Sequence, residues 1–533
     1  MKIVIKNEHW LPLGLLSIVY CLLSFLNLIN WGIYWDDWWL VSLSDSDMHK
    51  MFYQAGNPII AYLHLLFRAS PFPLVSYRVA QFLCGYITMI AVYLIMLKVI
   101  IQNKYWAFWG AVFFVALPLN FAKITLICFP YIICLTFFYF SFALMLFKKD
   151  RLISRLLAQL LFFLSFMTNS LVAFYFVFLI VLYMQWTMKS KDFLNFKKIF
   201  AFLRRNWDFV LLPVVFVAFK YLLLPVPSGD YAGYNSLHFS FRIVGEILKA
   251  FHVILTRVVP KSFSLIIAGG LIVFYPIVLR NKLYKNLSSH FSVSRDGFLK
   301  TLFVSVVSVF TAILPYLLVK TPGFIFGTEW ADRDTMLLPL GISLFFISII
   351  IFVLSFEYLK NNAVSKFILG FVLPLVLFFS FSLSTIKGQV QLFKDAIKQD
   401  AILNFMRNEP GFYKNYTFVF IDKCMDSNIF ARIYRSYEPN GMAQSIFGDQ
   451  KRYFVSYGSS DLGYPSCLKS VYPSINGICK DWRKSDVFKH FSIECNPQME
   501  LNSCKIIKLS FFKFFKKEHY HEELSKYFLL TLR

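Results

Sequence analysis

The chain of 533 residues is 58% hydrophobic and 19% aromatic, with only 16% charged, yet its formal net charge is +24. A water-soluble chain is nearer a quarter charged, so this composition excludes an ordinary soluble domain and indicates a polytopic membrane protein. The basic excess does not indicate nucleic-acid binding. Up to about residue 385, Lys and Arg fall mostly in short loops on alternate sides of the apolar runs, the positive-inside pattern.

Lys2 and Lys6 precede the first apolar run, 11–30, which places the N-terminus in the cytoplasm. That run is long, and 27–37 offers no small-residue cleavage site, so it is not read as a removable signal peptide. Directly after it comes Trp31-Gly32-Ile33-Tyr34-Trp35-Asp36-Asp37-Trp38-Trp39, on the outer side. Aromatic rings favour the interface where a span leaves the bilayer. Two adjacent carboxylates there are costly and mark a functional candidate. Helix capping by one Asp ahead of Trp38-Trp39-Leu40 explains one carboxylate and not the other. Residues 38–72 read as one or two helices on the outer surface, broken at Gly56-Asn57-Pro58.

Further spans are expected at 74–97, 105–122, 127–147, 153–169, 171–187, 208–225, 262–280, 301–320, 337–356 and 366–385. Basic connections at 98–104, 148–155, 189–205, 280–300 and 360–366 would be cytoplasmic. The expected fold is therefore a polytopic α-helical membrane protein of about eleven spans, N-terminus in and C-terminus out. An amphipathic surface helix is expected over 241–259. From 387 the composition turns polar, and 387–533 reads as a small extracytoplasmic α/β domain. It includes a helix at 390–409, a strand at 416–421, a helix at 427–437 and a strand near 451–456. The membrane part is 1–386, with its first external loop at 31–73.

Cys424, Cys467, Cys479, Cys495 and Cys504 crowd into the polar part, where disulfides fit an extracytoplasmic setting with their pairing open. No cysteine or histidine spacing matches a zinc site. Charged candidates on the outer side are Asp36 and Asp37, each suited to act as a general base if partly desolvated. A second group is Glu329, Asp332, Arg333 and Asp334, with Arg333 matching phosphate oxygens through its planar fork, and Lys320 adding a point charge. His64, Arg68 and Arg78 are supporting candidates, as are Arg242, Lys249 and Arg257, most of them expected to anchor at the interface. His519, His521 and Glu522 read as a solvated helix face. The P-loop, the nucleophile elbow, the zinc-protease motif and the dinucleotide fingerprint are all missing. Few charges lie inside the spans, which argues against an ion-coupled transporter.

An acidic pair in the first external loop after a cytoplasmic N-terminus and one span resembles the GT-C superfamily of membrane glycosyltransferases. Trp35-Asp36-Asp37-Trp38, Gly56-Asn57-Pro58 and the acid-Arg-acid loop running into Leu337-Leu338-Pro339-Leu340 resemble its bacterial polysaccharide-modifying members, among them the phage-borne glucosyltransferases that convert O-antigen serotype. Asn57 stands where related sequences often carry Arg, and 120–123 lacks the second acid common in the superfamily.

The resemblance implies transfer of a hexose, glucose being expected, from undecaprenyl phosphate to a lipid-linked O-antigen or related polysaccharide. The site would face the periplasm across a bacterial inner membrane. Asp36 or Asp37 would take the acceptor proton, and Arg333 with Lys320 would bind the donor phosphate. No cofactor is called for, and a requirement for a divalent metal is left open. The partners implied are the polyprenyl-linked donor, the glycan acceptor and the bilayer. The alternatives from other classes are an O-antigen polymerase or flippase, and a non-enzymatic membrane receptor.

Overall fold

A computed structural model describes residues 10–100, 103–148, 150–187, 195–233, 243–258, 295–319, 329–356, 363–414, 417–448, 452–456 and 489–533. The expected span at 262–280, Lys320 and Arg242 lie outside these residues, as do Cys467 and Cys479. Among the described residues, seven helices are long and apolar enough to cross a bilayer, and one bent pair would add an eighth. The chain is a multi-pass membrane protein.

The first helix, α1, is Trp10–Leu28. Three short helices follow: α2 (Asp37–Ser42), α3 (Asp45–Gln54) and α4 (Ile59–Arg68). Gly56 supplies the expected break with φ +78°, a left-handed turn that favours glycine. Next come α5 (Pro73–Ile95) and α6 (Lys104–Ala116). α6 stops short of the expected 122 because Pro118 pushes Leu117 out of the helical region. Residues 117–128 form an irregular outer loop that contains the 3₁₀ turn Phe121–Ile124.

The bundle continues with α7 (Phe129–Lys148), α8 (Leu152–Ser165), α9 (Ser170–Thr187), α10 (Phe196–Arg205) and α11 (Trp207–Leu223). The surface helix α12 (Ile243–Val258) matches the amphipathic segment expected there. After it come α13 (Arg295–Val319), the 3₁₀ segment Glu329–Leu337, and α14 (Leu338–Ser355). The membrane core includes many aromatic side chains, among them Trp106, Phe138, Phe162 and Phe178.

α15 (Leu373–Asn408) is one helix of 36 residues that joins the last span to the helix expected at 390–409. Its outer half carries Phe393, Ile397, Ile402 and Met406 into the core of the polar part. That core backs a four-stranded sheet of order β2-β1-β3-β4, made of β1 (Thr417–Asp422), β2 (Tyr453–Ser456), β3 (Lys489–Cys495) and β4 (Phe528–Leu532). β1 runs parallel to β2 and β3, and β4 antiparallel to β3.

The helix expected at 427–437 is not formed. Phe430 and Ala431 hold positive φ there, and the helix that follows, α16, is Tyr437–Phe447. It ends at Gly448, whose φ of +68° makes a glycine C-cap. α17 (Ser503–Phe515) and α18 (Lys517–Leu524) complete the polar part. Cys424 and Cys495 form a disulfide, while Cys504 is free and exposed.

Candidate active site

The first external loop is held by protein rather than by the bilayer interface. Tyr34, Trp35 and Trp38 are buried, which corrects the expectation of an interfacial aromatic belt. The reason is the outer half of α15, which gives this stretch a polar and aromatic surface to pack on. Trp31 Nε1 donates to Asp400 Oδ2 at 2.9 Å, and the Ile33 N–H donates to Gln399 Oε1 at 3.1 Å. Tyr34 Oη donates to the Leu392 carbonyl at 2.7 Å. Arg78 is likewise no headgroup anchor. It is buried and donates to the carbonyls of Asn30 at 2.9 Å and Gly32 at 2.7 Å, and also to Ile124.

At Trp35 the backbone turns left-handed, with φ 49°. A bulky residue adopts that conformation only where its surroundings over-determine it. Those surroundings include Arg432, whose guanidinium sits 5.1 Å from the Trp35 ring centre and is gripped by Glu438 through bonds of 2.5 and 2.7 Å. This turn sets Asp36 and Asp37 in different environments.

Asp37 is wholly enclosed, with 0% exposure. Its carboxylate accepts the N–H groups of Leu126 at 2.8 Å, Ile127 at 2.9 Å and Tyr34 at 3.4 Å, stitching the first outer loop to the second. Burial pushes its pKa up to about 7 against the pull of those donors.

Asp36 is only half-buried. It occupies the N-cap position of α2 without making a side-chain cap hydrogen bond, so capping does not account for it. Burial raises its pKa, while Arg333 is the foremost charge lowering it, helped by a hydrogen bond from Tyr437 and by Arg435; Glu438 opposes them. The Cys128 thiol lies within electrostatic reach of Arg333, Asp37 and Asp36 together. Asp36 and Arg333, nearly three hundred residues apart in sequence, thus share one neighbourhood.

The 329–337 segment is fixed from two sides. Asp332 is fully buried and accepts from Arg257 Nη1 at 2.5 Å and from the Ala122 N–H at 3.0 Å. The Asn120 N–H donates to Thr335 Oγ1 at 2.8 Å. Arg257, expected at the headgroups, is therefore recruited to Asp332. Burial raises the Asp332 pKa and Arg257 holds it down. Arg333 contacts Asp334, Nε to Oδ1 at 3.7 Å, and is 16% exposed along its side chain. Lys123 borders the same cluster; burial lowers its pKa and Asp332 raises it.

Not every candidate converges. His64 is buried against Phe52 and hydrogen-bonds Tyr77 Oη at 2.8 Å; burial lowers its pKa to about 4, which keeps the ring neutral. Arg68 donates to the Leu43 carbonyl at 2.6 Å and pairs with Asp45 at 3.3 Å at the surface. Lys249 points outward from α12. The Glu329 side chain lies outside the described part. Among the described residues no three His, Cys, Asp or Glu side chains are grouped to share a metal ion.

The residues through which the polar part takes its share were not identified from the sequence. Tyr437, Arg435 and Glu438 reach Asp36 from the start of α16. Gly441 allows α16 to approach α2 so closely that a Cβ there would stand 2.6 Å from the Trp38 carbonyl oxygen. Gln444 Nε2 donates to the Ser42 carbonyl at 2.9 Å. Beneath lies a buried ionic network, in which Lys398 Nζ bonds both Asp422 oxygens at 2.7 Å and Asn428 Oδ1 at 2.8 Å. The signal available was Arg432-Ile433-Tyr434-Arg435-Ser436-Tyr437-Glu438, where charges and aromatics alternate without helical periodicity.

A half-buried carboxylate in the neighbourhood of a guanidinium at the ends of apolar helices can accept a proton on one side and hold an anion on the other. No protein-family model matches the chain, and no curated protein does. Among solved structures, the crystal structure of ArnT from Cupriavidus metallidurans bound to undecaprenyl phosphate aligns over 92% of this chain and 94% of that one, at 10% identity and a TM-score of 0.38.

Proposed function

We propose that the protein is a membrane glycosyltransferase of the GT-C type, moving a hexose from a polyprenyl phosphate to a lipid-linked O-antigen or related polysaccharide. The observation that carries the reading is Asp36 in the electrostatic grip of Arg333 within a cluster built from three outer segments. In this reading the N-terminus is cytoplasmic, and the site faces the periplasm across the bacterial inner membrane. The membrane part, 1–386, and the polar part, 387–533, form one catalytic unit.

Asp36 takes the proton of the acceptor hydroxyl as its oxygen bonds to the anomeric carbon. The bond from that carbon to the phosphate oxygen breaks, and Arg333 stabilises the charge on the departing polyprenyl phosphate. Lys320 would assist. A phosphate leaving group of this kind needs no nucleotide-binding motif. Asp37, with its oxygens engaged by backbone N–H groups, serves as framework rather than as the base.

The test is transfer by purified protein from a polyprenyl-phosphate hexose to a lipid-linked glycan. Asp36→Asn should abolish transfer, and undiminished transfer by that variant would refute the assignment. A change in glycan chain length at constant side-branch sugar content would point instead to a polymerase.

A further inference from the structure

α10 (Phe196–Arg205) presents three distinct faces. Phe196, Phe200 and Leu203 recur at helical spacing and are 85, 70 and 40% exposed. At about 100° per residue these three fall within a stripe about 60° wide. Lys197 and Arg204 flank it, Lys198 and Arg205 lie roughly opposite it, and the helix contains no acid. The remaining face packs on the protein, with Phe202 buried against Tyr183 at 5.2 Å between ring centres and against Trp186 at 6.3 Å.

The orientation of α10 is fixed as well. It meets α11 at 85°, and α11 exposes Val214, Val215, Leu222 and Leu223 along its length. Asp208 locks the corner by accepting from Arg155 at 2.5 and 2.8 Å and from Gln159 at 2.6 Å. If α11 crosses the bilayer, α10 lies in its plane.

Its side of the membrane follows from α9. Ser170 at one end of α9 bonds Tyr316, which is within electrostatic reach of Arg333, so that end is the Asp36 side. Thr187, at the other end, lies about 26 Å away along the helix and leads toward α10.

We propose that α10 is an interfacial helix seated on the leaflet opposite the Asp36 site, its Phe196, Phe200 and Leu203 stripe in the acyl boundary and its cations toward anionic headgroups. An exposed aromatic stripe beside a purely basic flank is complementary to an anionic bilayer surface. It also continues the lipid-exposed surface of α11. A neutral bilayer or an apolar protein groove would match the aromatic stripe alone and not the cations beside it.

Two measurements on the full-length protein in nanodiscs of phosphatidylcholine with phosphatidylglycerol test this. A photo-reactive benzoylphenylalanine replacing Phe200 should form lipid-mass adducts on illumination. Adducts to a second copy or to another protein would overturn the proposal. After detergent extraction, the wild-type protein should retain phosphatidylglycerol over phosphatidylcholine, and the fourfold variant Lys197→Gln, Lys198→Gln, Arg204→Gln, Arg205→Gln should lose about tenfold of that preference. If that variant does not fold, the wild-type preference read at rising salt replaces it, since exposed cations on headgroups are screened within a Debye length. A preference indifferent to both charge removal and salt would sink the idea.

Discussion

Arg333 is the charge that most strongly lowers the pKa of the Asp36 carboxyl, across nearly the whole length of the membrane part. A general base works ionised, so activity resting on Asp36 is present above its pKa and lost as pH falls through it. Arg333→Gln removes the main opposing charge, and the acid limb of kcat/KM should move to higher pH. With the phosphate partner gone, kcat should also fall about 10²- to 10³-fold. Arg333→Lys keeps the charge and should hold the limb in place while losing bidentate binding. A pH–rate profile of the two variants separates these effects.

Tyr437 approaches the same carboxyl from the polar part and helps to lower its pKa. Tyr437→Phe should shift the acid limb in the same direction as Arg333→Gln, by less, and leave the KM for the polyprenyl donor unchanged. A fall in donor affinity with an unmoved limb would show that Tyr437 acts elsewhere.

Asp37 has a folded pKa of about 7 against an ordinary 3.8. The folded state therefore binds the proton more tightly, and this group's contribution to stability is full below about pH 4 and is lost as pH rises to about 7. Asp37→Asn sets an amide NH₂ against a backbone donor at Leu126 or Ile127, for a cost of about 2 kcal/mol. Thermal unfolding in detergent at pH 5 and pH 8 should show a lower midpoint for the variant and a weaker dependence on pH.

Lys398 and Asp422 are both buried and bond to each other. Lys398→Met strands the carboxylate and should cost about 3–5 kcal/mol. Adding Asp422→Leu should restore most of it, because two apolar side chains leave no buried charge behind. Protease resistance of the polar part reads both variants.

Gly441 lies where any Cβ meets the Trp38 backbone. Gly441→Val should part α16 from α2 and abolish transfer while the spans stay intact by circular dichroism. Gly441→Ala should fall between the two.

The chain's hydropathy made seven of the eleven expected spans, the short helices within 38–72 and the change of composition near 387 readable, because apolar runs and breakers act locally. Arg333 and Asp36 could be proposed as partners only by assuming a topology. The roles of Arg78 and Arg257 were not readable. Each looks like an interfacial anchor in sequence, and only the folded outer loops supply the carbonyls and the Asp332 carboxylate that claim them. The two aspartates looked equivalent in sequence until the left-handed turn at Trp35 separated them. The polar part was half-legible: β1 and β2 carry strand-like apolar runs, whereas β4 and the start of α16 depend on contacts far away along the chain.

The continuity of α15 makes rotational phase a shared property of the two halves. One inserted residue near Lys387 would turn everything beyond it by about 100° and lift it by about 1.5 Å. Trp31, Ile33 and Tyr34 would then face the wrong side of the rod. Exchanging the outer half between related chains should accordingly tolerate substitutions far better than a change of length.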